Sequence, residues 1–99
     1  MFVHSVYFWL KPDLTADEKA ACMSKMNALG TIDSVKQCII GPPADTDRPV
    51  IDRTYSYALI VIFEDKAGHD AYQVDPIHDV FRDDCAAYWD RVQIYDAQG

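Results

Sequence analysis

Ninety-nine residues, 49% of them hydrophobic and 25% charged, are enough for one domain whose core needs neither disulfides nor a metal. Lys and Arg number 9 against 16 Asp and Glu, giving a net charge of −7 with no basic cluster, which argues against nucleic acid and anionic membranes as partners. No apolar run reaches the roughly 18 residues of a membrane span, and the opening MFVHSVYFWLKP lacks the basic start and cleavage site of a signal peptide, so the chain reads as a cytoplasmic protein.

Residues 2–10, FVHSVYFWL, are β-branched and aromatic and stop at Lys11-Pro12, the pattern of a strand buried on both faces. Phe2, His4, Val6 and Phe8 share one face, while Val3, Ser5, Tyr7 and Trp9 share the other. A small domain covers one sheet face with its own helices, so the second apolar face calls for a partner subunit.

TADE at 15–18 is a capping box that starts a helix. Ala16, Ala20, Met23, Met26 and Leu29 recur along it at helical spacing, and Gly30 is placed to end it as a left-handed cap. Residues 34–41 read as a second strand, 42–53 as a long polar, proline-rich loop of the kind used for lids or subunit arms, and 54–63 as a third strand. In that third strand Tyr55, Tyr57, Leu59, Val61 and Phe63 face one way and Ala58, Ile60 and Ile62 the other.

EDKAGHDAYQV then forms a short helix with His69 on its exposed side, DPIHDVFRDDCAAYW a second helix, and RVQIYDA a fourth strand. In the second of these helices Asp75 is the N-cap and Pro76 the first helical residue. The order β-α-β-β-α-α-β is an α+β, ferredoxin-like split βαβ arrangement, a four-stranded antiparallel sheet with helices on one face, within a single domain spanning 1–99. Its uncovered face predicts a homodimer that packs sheet to sheet.

Three free cysteines, Cys22, Cys38 and Cys85, show no zinc spacing and read as buried reduced thiols, and Asp79, Asp83 and Asp84 have no matching ligands elsewhere. No metal or cofactor is expected.

Three stretches, VHSVYFWLKP, YSYALIVIFED and AYQVDPIHDVF, taken with the order of elements, resemble the Dabb family of dimeric α/β-barrel, or stress-responsive A/B barrel, domains. The resemblance implies two ferredoxin-like protomers closing into an α/β barrel, each with a pocket between sheet and helices. In a plant branch of polyketide cyclases, pocket histidines and a helix tyrosine promote an intramolecular aldol condensation; His4, His78 and Tyr72 match those positions. Asp75 stands where many members have histidine, and Tyr57 where the cyclase branch has one. These departures replace imidazoles by an acceptor-only carboxylate and a phenol.

His78 shares a helix face with Phe81 and Arg82, which turns it toward the sheet that carries His4. The pocket is therefore expected to comprise His4, Tyr57, Tyr72, His78 and Phe81, and two functional classes follow. One is a module that holds an apolar or aromatic small molecule in a stress-related role. The other is a polyketide cyclase-like or lyase-like enzyme with His78 as general base and His4 and Tyr72 as donors. Heme handling is a remoter third, since only Arg48, Arg53 and Arg82 are at hand for propionates.

Overall fold

The computed structural model describes all residues, Met1–Gly99. Strand β1 (Phe2–Leu10) leads to helix α1 (Ala16–Ala28), then β2 (Gln37–Gly41), β3 (Tyr57–Phe63), α2 (Lys66–Gln73), α3 (Pro76–Cys85) and β4 (Trp89–Gln98). The strands form one antiparallel sheet in the order β2-β3-β1-β4, as a split βαβ arrangement requires. β1 is thus central, bonded to β3 on one side and β4 on the other.

Alternation along β1 works as its sequence demands. Phe2, His4, Val6 and Phe8 are buried beneath the helices, joined by Leu59, Val61 and Phe63 from β3, while Val3, Ser5, Tyr7, Ile60 and Ile62 on the outer face are only half-buried. The third strand begins later than expected. Residues 51–56 lie outside the sheet, so alternation does not extend to Tyr55, whose ring instead packs on Tyr7 (centroids 5.0 Å apart) and Trp9 on the outer face.

The capping box at the start of α1 is present: Thr15 Oγ1 accepts from the Glu18 N–H, and Glu18 Oε1 accepts from the Thr15 N–H. The buried stripe of α1 keeps the expected Met26 and Leu29, with Met23 partly buried against the core, and adds Cys22, whereas Ala16 and Ala20 are exposed. Gly30 is not a left-handed cap either. α1 tightens into a 3-10 turn, Leu29–Thr31, and no glycine has a positive φ. Gly30 serves close approach instead, since a Cβ there would sit 3.3 Å from the Cys38 Cβ. Cys22 and Cys85 are buried as expected, but Cys38 is only half-buried.

α3 begins as its sequence dictates. Asp75 accepts the Ile77 N–H at 2.9 Å, Pro76 occupies the first turn, and Phe81 and Cys85 drive its inner face into the core. Asp75→Ala is expected to cost about 1 kcal/mol through the lost cap. A lowered urea midpoint with an unchanged denaturant slope would register that loss, and an unchanged midpoint would show that water caps α3 equally well.

Candidate functional site

His4 occupies the middle of the sheet, 3% exposed, directly opposite Asp96 in the β1–β4 register. Its Nδ1 lies 2.6 Å from Asp96 Oδ1. A carboxylate only accepts, so the ring donates through Nδ1–H and leaves the Nε2 lone pair free. Burial pulls the His4 pKa below its ordinary value, and the Asp96 carboxylate offsets this only in part. The pair is therefore a hydrogen bond from a neutral imidazole and not an ion pair. Nε2 faces the side-chain amide of Gln73 at 3.5 Å.

His78 sits in the first turn of α3, where the cap at Asp75 and the apolar inner face of the helix point it into the protein. Its ring packs 5.0 Å from that of Tyr72 and 6.3 Å from that of Phe81. Burial lowers its pKa, with the Arg82 guanidinium next in effect and Asp79 opposing. Nδ1 is buried without a partner. An unpaired lone pair costs less there than an unpaired N–H, so the proton belongs on Nε2. Tyr72, 1% exposed on the last turn of α2, has its phenol pKa driven well above the ordinary value by burial, and its hydroxyl stays protonated.

These side chains border one cavity of about 290 Å³ between the helices and the β1–β4 half of the sheet. His4, Tyr72, His78 and Phe81 all line it, Val6, Phe8 and Leu59 form its floor, and Val92 and Ile94 of β4 stand at its open side. Eight of its twelve lining residues are hydrophobic, which leaves a few polar groups to set the orientation of an occupant. The fifth expected residue is elsewhere. Tyr57, the first residue of β3, pairs with Phe8 and borders a separate depression with Leu10, Pro42 and Lys19 of α1.

Three residues that the sequence did not point to belong to this neighbourhood. Asp96 reaches His4 across the last strand, and Gln73 stands between His4 and His69, its Nε2 3.2 Å from His69 Nε2. His69 is not on an exposed helix side: its ring lies against Phe2 (4.6 Å) and His4 (4.9 Å). The i, i+4 spacing of His69 and Gln73 on α2 was a readable signal for their shared face. No sequence signal announced the pairing of residues from the first and last strands.

On the opposite side of the sheet, Tyr7, Trp9, Asp52, Tyr55, Arg91 and Tyr95 border a depression of about 300 Å³. The segment after the long loop reaches it, with Thr54 Oγ1 accepting from Trp9 Nε1 at 3.0 Å. No helix is long and apolar enough to cross a membrane.

No curated protein matches the chain. Among solved structures, a dimeric ferredoxin-like protein of unknown function from Thermobifida fusca superposes with a TM-score of 0.80 at 18% identity, over 99% of this chain and 90% of that one. A Dabb family protein from Mesorhizobium loti gives 0.80 at 22% identity, over 99% and 95%. Hydroxynitrile lyase from Passiflora edulis gives 0.79 at 17% identity, over 97% and 90%. At these identities the likeness is one of fold. The family model for the stress responsive A/B barrel domain matches residues 2–98, nearly the whole chain, and on that match the protein belongs to the stress responsive A/B barrel domain family.

Proposed function

We propose that the protein is a homodimer that holds an apolar or aromatic small molecule in the cavity beneath its helices. The observation that carries this reading is the convergence of His4, Tyr72 and His78, from three different elements, on one largely apolar cavity of about 290 Å³. The dimer rests on the outer sheet face, where Ile39 and Tyr95 are 50% and 63% exposed beside a half-buried Trp9 and Ile60, and on the dimeric state of solved relatives such as the T. fusca protein.

The reading is tested by fluorescence titration with 2-naphthol, an aromatic probe with one hydroxyl, in a double-mutant cycle of His4→Phe and His78→Phe. Shared use of one occupant predicts losses that fail to add by about 0.5 kcal/mol or more. Additive losses, or undiminished binding in both single variants, would remove these residues from the binding site.

A lyase or cyclase reading is favoured by the same polar groups, with the roles divided differently from the sequence expectation. His4, oriented by Asp96, presents the lone pair of a base, whereas Tyr72 and the Nε2–H of His78 are donors toward a developing oxyanion. Aldehyde release from an aromatic cyanohydrin above the buffer rate would promote this reading. Binding without turnover leaves the first.

A further inference from the structure

We infer that His4 and His69 form a binding site for a divalent transition ion of borderline softness, with Gln73 as third ligand, at the end of the helix–sheet cavity. Each imidazole is oriented from behind by a carboxylate: His4 Nδ1 lies 2.6 Å from Asp96 Oδ1, and His69 Nδ1 lies 3.0 Å from Asp70 Oδ1. Acceptor-only carboxylates fix the proton of both rings on Nδ1 and leave both Nε2 lone pairs free. Those two lone pairs converge on a single group, the Gln73 amide nitrogen, at 3.5 and 3.2 Å. The carboxylate behind each ring is the outer-shell arrangement that raises imidazole basicity and fixes the tautomer in metal sites.

His4, His69 and Asp96 can each offer an atom such that all lie within 4.8 Å of one another, but Asp96 is not assigned as a ligand. Its 2.6 Å contact with Nδ1 is too short to hold an ion between atoms that each need about 2.0–2.1 Å to the metal, so it is a hydrogen bond and Asp96 is an outer-shell group. Turning the Gln73 amide over replaces its NH2 by its carbonyl oxygen, which adds an oxygen ligand to the two nitrogens. A two-imidazole, one-oxygen set suits Zn2+ and its neighbours better than Mg2+ or Ca2+, which prefer oxygen throughout. His4 and Gln73 line the cavity, so the remaining coordination positions open toward it. An ion there uses the same His4 lone pair that a base would need. The inference therefore accompanies the binding reading and replaces His4 in the enzymatic one.

The test is a Zn2+ titration of chelator-treated full-length protein, followed by imidazole 15N resonances and by calorimetry. One ion per protomer is expected, with the Nε2 signals of His4 and His69 shifting together and those of His78 unmoved. His69→Gln, a change at a partly exposed position, should weaken Zn2+ at least about tenfold, and Asp96→Asn about 10- to 100-fold through the outer shell. Zn2+ uptake with both Nε2 signals unmoved, as capture by the half-exposed Cys38 thiol would give, overturns the site. Absence of uptake also overturns it, leaving the Gln73 amide as a purely structural donor between two imidazoles. So does His69→Gln binding as tightly as the parent.

Discussion

Ile60→Asp is expected to halve the particle mass measured by light scattering at micromolar concentration while leaving the far-ultraviolet spectrum intact. Ile60 lies at the middle of the outer sheet face, opposite Ser5 on β1 and Ile39 on β2, with no cation directly across from it in either register. In the protomer it is half-buried, so the fold tolerates a carboxylate there. Between two sheets the same carboxylate is desolvated and unpaired. Such a charge costs about 3–5 kcal/mol, a weakening of about a hundredfold or more. A twofold interface also meets the substitution from both sides. Trp9→Asp is the weaker probe, because Arg91 stands opposite on β4, 4.1 Å from the Trp9 ring, and would take the new carboxylate. A full-mass Ile60→Asp dimer would place the twin on some other surface.

Phe63→Ala is expected to cost about 3–5 kcal/mol, a large share of the roughly 5–15 kcal/mol that holds a domain of this size. The side chain is fully buried at the end of β3, edge-on to Phe2 at 6.3 Å and to Tyr72 at 5.1 Å. Gly68 of α2 approaches so closely that an added Cβ would lie 3.3 Å from the Phe63 Cβ. Truncation thus opens a void under the helix that carries His69, Tyr72 and Gln73, and backbone already in contact cannot close further to fill it. At about 4–8 °C per kcal/mol, thermal melts should show a fall of at least 12 °C or so. A fall of only a few degrees would mean that α2 settles onto the sheet after all.

Periodicity made most of this architecture readable. Strand alternation in FVHSVYFWL and ALIVIF put the right residues under the helices, and the caps at Thr15 and Asp75 fixed two helix starts, because each signal lies within a few residues of its effect. The misreadings share a different cause. Gly30 was read from its place after a helix, but its role depends on Cys38 across the fold. Alternation in the third strand stops short of Tyr55, which lies beyond the residues that pair, whereas Tyr57 does pair, opposite Phe8, yet borders a different depression. His69 looked polar and outward until the packing of α2 on Phe2 turned it in. The partner of His4 is set by the β1–β4 register, which brings Asp96 opposite only when both strands are in place. Local pattern reports a side chain's face; register and packing decide its neighbour.

That same register governs how the chain reaches its folded state. β1 forms first in sequence yet is the inner strand, and its β4 neighbour pairs from Leu10↔Trp89 out to Phe2↔Gln98. Nearly the full length must be looped before this ladder closes, an entropic barrier met before most of its contacts repay it. During synthesis β1 therefore waits with one edge and two apolar faces uncovered, the condition that favours pairing with a neighbouring nascent chain. The His4–Asp96 contact joins the first and last strands of the chain, so it exists only in chains that have completed this closure. A hydrogen-exchange probe on the Ser5 amide, which points toward β4, would time that event in the refolding protein.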